Sequence, residues 1–211
     1  MRTFVHYVYI CTYRSRCQAV GRHRRGASGM SEAGGRRYDP QRRGRILEVA
    51  LDVIAEHGVA GTTHRRVAAA ANVPLGSMTY HFTGMDDLLF AAFERLAVST
   101  AELYRTRLEA AKDVAQARAA VVDLICDGTW TSPRNMALTF ELYAYSIRNP
   151  RLRSVWRGWM AGSRAALERH FTPETARVLD AAIEGITIHN SVEPESISRA
   201  DVERIVDRLS R

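Results

Sequence analysis

Apolar residues along the chain recur at helical spacing from residue 41 onward, and breakers divide them into short and long segments. Between Gln41 and His57, Ile46, Val49, Ala50, Val53 and Ile54 fall at i, i+3, i+4, i+7 and i+8. That spacing predicts one buried face of an amphipathic helix, with Gly58 as its stop. From Thr62 to Phe82 the run TTHRRVAAAANVPLGSMTYHF predicts two short helices at a tight turn. Thr62 or Thr63 supplies an N-cap, because a hydroxyl there accepts a bond from an orphan N–H of the first turn. His64 to Ala71 forms the first short helix, with Val67, Ala70 and Ala71 on its apolar side. Asn72 suits a left-handed C-terminal position, Val73 plugs the turn, and Pro74 stands where a missing N–H costs little. Leu75 to His81 is then a helix of barely two turns, too short to hold without packing, with Phe82 as its core anchor.

A helix is predicted from Met85 to about Arg107, with core positions Leu88, Leu89, Ala92, Phe93 and Leu96 and with Asp86 and Asp87 favourably near its N-terminus. Beyond it, helices are expected at 112–127, 133–148, 151–171, 173–190 and 198–209. Pro133, Pro150, Pro173 and Pro194 punctuate them, and Ser198 with Asp201 resembles a capping box with a shorter acid. With no strong β-branched run, the fold class is all-α: an N-terminal helix-turn-helix domain followed by a helical C-terminal domain. Two helices at a tight turn are the geometry that lays one helix into a DNA groove.

The segment from about Gln41 to Leu96 resembles the DNA-binding domain of the TetR family of bacterial transcriptional regulators. The matching runs are RRGRILEVALDVIAEHGVAGTT, ANVPLG, SMTYHF and DDLLFAAF, about a quarter of the chain. The resemblance implies base or phosphate contacts at Thr63, Arg65, Ser77, Thr79, Tyr80 and His81. Side-chain chemistry adds His64, Met78 and Arg43. Ser77, Met78 and Thr79 fall where a recognition helix reaches base edges; hydroxyls there read permissively, so specificity rests on DNA shape and on Arg65. Arg42, Arg43 and Arg45 crowd a helix N-terminus that disfavours cations unless a phosphate backbone lies opposite. Two positions depart from the family pattern: many members have tyrosine where this chain has Thr79, and lysine where it has Met85.

The resemblance further implies a ligand cavity in residues 85–211, a connecting helix that acts as a lever, and a homodimer that binds a palindromic operator. Candidate pocket residues are Trp130, Phe140, Tyr143, Trp156 and Trp159, although aromatic residues at helical spacing commonly form core. The pair 151–171 and 173–190 is implied as the dimer interface, with Ala161, Gly162, Ala165 and Ala166 for close approach and Leu167, Leu179, Ile183 and Ile186 for apolar area. The implied function is a ligand-responsive repressor with a small-molecule effector. The alternative is a helical, dimeric interaction protein that has lost DNA binding.

Charge and composition change little. The 211 residues carry a formal net charge of +7, and six arginines with no acid in residues 1–30 account for nearly all of it. DNA binding therefore has to rest on local arginines. Residues 1–38 form an extension for which two readings stay open: a natural start at Met30, or a genuine basic arm adding phosphate or minor-groove contacts. Residues 39–84 are the expected DNA-binding domain and 85–211 the regulatory and dimerisation domain. Cys11, Cys17 and Cys126 make no disulfide framework, and their spacing with His6 and His23 does not suit a zinc knuckle. No metal or cofactor is expected. Without an apolar run of about 18 residues no membrane span is expected, and a cytoplasmic location follows. The chain lacks G-x-S-x-G, P-loop and H-E-x-x-H motifs, and Glu141, His170 and His189 share no helix, so an enzyme is not expected.

Overall fold

The computed structural model describes residues 41–128 and 131–211, which hold nine α-helices and no strand. The expectations for residues 1–38 and for Trp130 lie outside the described residues. The helices are α1 (Arg42–Gly61), α2 (His64–Ala70), α3 (Leu75–His81), α4 (Met85–Glu109), α5 (Val114–Cys126), α6 (Pro133–Ser146), α7 (Pro150–Leu167), α8 (Pro173–Val192) and α9 (Arg199–Leu209). Among these residues no helix is long and apolar enough to cross a membrane, and no group of His, Cys, Asp or Glu is placed to hold a metal ion.

Helix starts follow the local chemistry. Pro133, Pro150 and Pro173 open α6, α7 and α8, each preceded by a residue whose side chain caps the first turn: Ser132, Asn149 and Thr172. Ser198 caps α9 by accepting the Asp201 N–H at 3.2 Å. The shorter acid does not complete the box through the backbone; its carboxylate instead accepts the Ser198 hydroxyl at 2.5 Å. Asp87 sits in the first turn of α4 and accepts the Thr83 N–H at 3.2 Å. That bond, helped by the Arg151 guanidinium at 3.1 Å, holds its carboxyl below the usual range.

Two cores carry the molecule. The first gathers Ile46, Ile54, Val67, Met78, Phe82, Leu88 and Phe93 from α1 to α4 together with Leu138, Leu142 and Leu152 from α6 and α7. The second joins Tyr104 and Leu108 at the far end of α4 to α5, α8, α9 and the end of α7. Helix α4 therefore belongs to both. Its approach to α7 is tight: a Cβ at Gly162 would stand 3.1 Å from the Ala101 Cβ. Gly162 thus serves packing within the chain, and Ala166, Leu167, Leu179, Ile183 and Ile186 are likewise buried in it. Those five are not free to form the implied dimer surface.

Helix α1 shows why Gly58 stands where it does. Its backbone takes φ +69°, ψ 168°, breaking the helix after His57 as expected, and a further turn carries on to Gly61. The break frees the Val59 N–H, which donates to Glu141 Oε2 of α6 at 2.8 Å. Beside it, Arg134 of α6 pairs with Asp52 at 2.7 Å, an exposed contact of modest worth. Any residue other than glycine at position 58 meets both the positive φ and the Glu141 carboxylate, 3.0 Å from the place of a Cβ. Gly58→Ala is therefore expected to cost about 1–2 kcal/mol or more. Thermal unfolding of the variant checks this, as a midpoint lowered by several degrees.

Candidate nucleic-acid interface and effector cavity

Helices α2 and α3 meet at a turn whose backbone turns left-handed at Asn72, φ 51°, the one positive φ outside glycine among the described residues. Thr63 caps α2, its hydroxyl accepting the Arg66 N–H at 3.2 Å, and the Arg66 guanidinium turns back to the Gly61 carbonyl. The buried side of α2 is Val67 with Ala68, while Ala70 is exposed; the helix is rotated slightly from the apolar side expected.

Helix α3 divides cleanly. Met78 is 0% exposed and packs in the first core with Phe82. It was expected among the DNA contacts; a side chain so enclosed cannot reach a base edge, and its role is to anchor α3. The opposite face is Leu75, Gly76, Thr79 and Tyr80, at i, i+1, i+4 and i+5, all exposed. Tyr80 is 80% exposed and Leu75 47%. Thr79 turns its hydroxyl to the Gly76 carbonyl at 3.1 Å, which leaves its methyl group to face outward. Ser77 and His81 flank this face, half-buried. Leu75 and Gly76 were not among the expected contacts, although the spacing from Thr79 and Tyr80 would have placed them on the same face.

Arg65 is exposed on α2. His64 is half-buried with its Nε2 enclosed and unpartnered among the described residues, so that nitrogen offers nothing at the surface. Arg43, exposed at the start of α1, places its guanidinium 5.4 Å from the centre of the Phe82 ring at the end of α3. Burial, followed by the charges of Arg42 and Arg43, holds the His81 imidazole below its usual range. His81 thus lies beside a pair of arginines that disfavour its charged form. The surface so assembled has two arginines at one end of α3, Arg65 on the neighbouring helix, and a small, mixed face between.

The second feature is a partly open cavity of ≈ 30 Å³, room for about two waters, bounded by α4, α6, α7 and α8. Tyr104, Met136, Trp156, Trp159, Asp180 and Glu184 are among its lining residues. Trp156 lies between Tyr143, ring centres 4.0 Å apart, and Trp159, 5.3 Å away. Two of the candidate pocket residues, Trp156 and Trp159, therefore line the cavity, and a third, Tyr143, packs against Trp156 behind it. Phe140 is not: it is exposed and does not line the cavity. The two carboxylates, which the aromatic pattern gave no reason to notice, sit one helical turn apart on α8. Ser163 donates to Asp180 at 2.5 Å, with the Arg164 guanidinium 3.8 Å away, and the Tyr143 hydroxyl donates to Glu184 at 2.5 Å. Burial pushes both carboxyls up, and for Glu184 the neighbouring Asp180 charge adds to it. Glu141 and His170, residues of the enzyme alternative, bond the backbone at Val59 and at Leu108 and face no common site.

An exposed two-helix unit docked on a helical body that encloses an aromatic cavity defines a helix-turn-helix regulator. The family model for bacterial regulatory proteins of the tetR family matches residues 46–92, and that for the tetracyclin repressor-like C-terminal domain matches residues 112–211. A solved Streptomyces coelicolor A3(2) protein described as a transcriptional regulator is 47% identical. It covers 81% of this chain and 99% of its own, with a TM-score of 0.76. The multidrug binding protein EbrR, solved with ethidium, is 33% identical over 82% of this chain and 99% of its own, with a TM-score of 0.68. The regulator BetI 1 of Chromohalobacter salexigens is 26% identical over 78% of this chain and 85% of its own length. The chain belongs to the TetR family and is a DNA-binding transcriptional regulator.

Two measurements test these assignments. Met78→Ala should lose about 2–5 kcal/mol of unfolding free energy in a denaturant titration, as a core truncation does and a surface one does not. Because the folded-state pKa of Glu184 lies above its unfolded value, its burial is best tolerated at low pH. The stability it permits is lost as pH rises from the ordinary carboxylate range through the raised pKa. Glu184→Gln should accordingly raise the thermal midpoint at pH 7.5 while leaving it nearly unchanged at pH 4.

Proposed function

We propose that the protein is a cytoplasmic, homodimeric repressor that binds a palindromic operator through residues 39–84 and releases it when a small molecule enters the cavity of residues 85–211. The observation that carries this reading is the two-sided character of α3: Met78 and Phe82 fix it from within, while Leu75, Gly76, Thr79 and Tyr80 are exposed on the opposite face. Arg43 and Arg65 supply charge for phosphates or base edges, Thr63 and Ser77 hydroxyls, and Tyr80 and His81 further polar groups. Gly76 fits a surface where backbone approaches DNA, since a Cβ there meets nothing within 4 Å among the described residues.

Dimerisation is supported by α8. Its core side is Leu179, Ile183 and Ile186; on the other side exposed Val178, Ala181 and Val192, with half-buried Gly185 between them, make a small and apolar stripe. Ala161 and Ala165 of α7 are exposed as well. A two-fold pair of chains joined there presents two copies of α3 to two half-sites. Ligand control has a physical route. Met136 and Thr139 of α6 line the cavity, and the same helix holds α1 through Glu141 and Arg134. A ligand that widens the cavity displaces α6 and with it the seat of the head. The similarity to a multidrug binding protein solved with small molecules supports an effector of that size.

Selection of a random duplex pool by the full chain at two salt concentrations tests the reading. It expects an inverted repeat and an affinity that falls steeply with salt. A folded dimer that enriches no sequence contradicts it. On the selected duplex, Arg65→Ala should weaken binding by about 1–3 kcal/mol. Gly76→Ala should weaken it while the thermal midpoint holds or rises, because alanine is the better helix former by about 1 kcal/mol. Val178→Arg should shift the sedimenting species toward monomer.

A further inference from the structure

We propose that α3 identifies its operator by the 5-methyl groups of thymine, one packed against Leu75 and one against the Thr79 methyl, on neighbouring base pairs of each half-site. The inference rests on the regulator reading and adds which base the exposed face of α3 selects, and by which atoms.

That face has little with which to read bases by hydrogen bonds. Bidentate recognition of guanine takes a guanidinium or an ammonium, and that of adenine a carboxamide. Neither occurs among LGSMTYH, the seven residues of α3. Met78 is buried and Ser77 half-buried. The Thr79 hydroxyl donates to the Gly76 carbonyl at 3.1 Å, so its proton is committed and does not serve guanine O6 and N7 or thymine O4. Tyr80 adds a phenol, which bonds phosphate as readily as base.

What the face offers instead is carbon. Leu75 is 47% exposed, and one helical turn further on Thr79 turns its methyl outward. Side chains at i and i+4 stand about 5–6 Å apart, and stacked base pairs about 3.4 Å apart. The two carbons therefore meet base pairs roughly one or two steps from each other. Gly76 lies on the same face with no side chain to hold them off, and a Cβ there meets nothing within 4 Å among the described residues. In the major groove the only apolar group that a base pair displays is the C5-methyl of thymine. Set against adenine or cytosine, Leu75 would cover an amino group and leave it without a hydrogen bond, which costs free energy. Against thymine it covers carbon with carbon. The same face thus rewards thymine by contact and penalises the alternatives by desolvation.

The test uses the full chain and the duplex it selects from a random pool, with deoxyuridine in place of each thymidine in turn. Uracil keeps every hydrogen-bonding group of thymine and lacks the methyl. Two positions in a half-site, one or two steps apart, should respond, each exchange weakening binding about fourfold (~0.8 kcal/mol, the transfer free energy of one buried carbon). The salt dependence should not change, because no phosphate contact is lost. Thr79→Ser keeps the hydroxyl and removes the methyl, and should abolish the response at one position; Leu75→Ala should abolish it at the other. A side chain that acts only through folding or phosphate contact weakens thymine and uracil duplexes alike, and an A·T preference that arises from groove shape does not depend on either residue. A selected half-site without such thymines, uracil exchange without effect, or a full response at both positions in either variant overturns the proposal and leaves the regulator reading standing. A folded dimer that enriches no sequence removes both.

Discussion

Helix α4 cannot move independently of either end of the protein, and the remaining architecture depends on that constraint. Leu88, Phe93 and Leu96 lock its first half into the core that α1, α2 and α3 share with α6 and α7, while Tyr104 and Leu108 lock its second half among α5, α8 and α9. The close approach at Gly162 and Ala101 removes the slack that larger side chains would leave between α4 and α7. Helix α3 is attached to α4 through Phe82 and the Thr83–Asp87 hydrogen bond. A change in how the body packs therefore reaches α3 through well-packed contacts, which switch between arrangements more readily than they deform.

A second connection runs beside the first. The kink at Gly58 exposes a backbone N–H that a body helix satisfies through Glu141. A polar bond of this kind has direction, whereas the apolar core around it tolerates small rotations. Together they leave the head with a defined seat on α6. Because α6 also lines the aromatic cavity, cavity volume and head position are properties of one packed unit.

Most of the fold was legible in the sequence, because helical spacing, prolines at helix starts and a glycine stop act locally. Ile46 to Ile54, Leu88 to Leu96 and the three N1 prolines all lie where the pattern placed them. The turn at Asn72 was legible for the same reason, since a short amide side chain tolerates positive φ. Side assignments on two-turn helices were less so. With seven residues in α3, the choice between Met78 and Leu75 for the inside depends on how the helix docks, which spacing alone leaves open, and Met78 went to the core. The cavity was half legible. Trp156 and Trp159 were apparent as aromatics on one helix, but nothing in the pattern singled out Asp180 and Glu184, which only the packing of α4, α6 and α7 brings to the cavity. The residues implied for dimerisation failed in the same way: Leu179, Ile183 and Ile186 are the apolar side of α8 that its own chain consumes, and the smaller residues opposite are what remains.

Reciprocal linkage is the most direct measure of the account, because binding at the cavity and at DNA must alter each other by one common factor. The affinity of the full chain for its selected duplex should be measured with and without a saturating small molecule chosen by its quenching of tryptophan fluorescence, and the affinity for that molecule with and without saturating duplex. The account predicts that both affinities fall, and by the same factor of about 5–150. Tight binding of the small molecule in the cavity with an unchanged duplex affinity would contradict it.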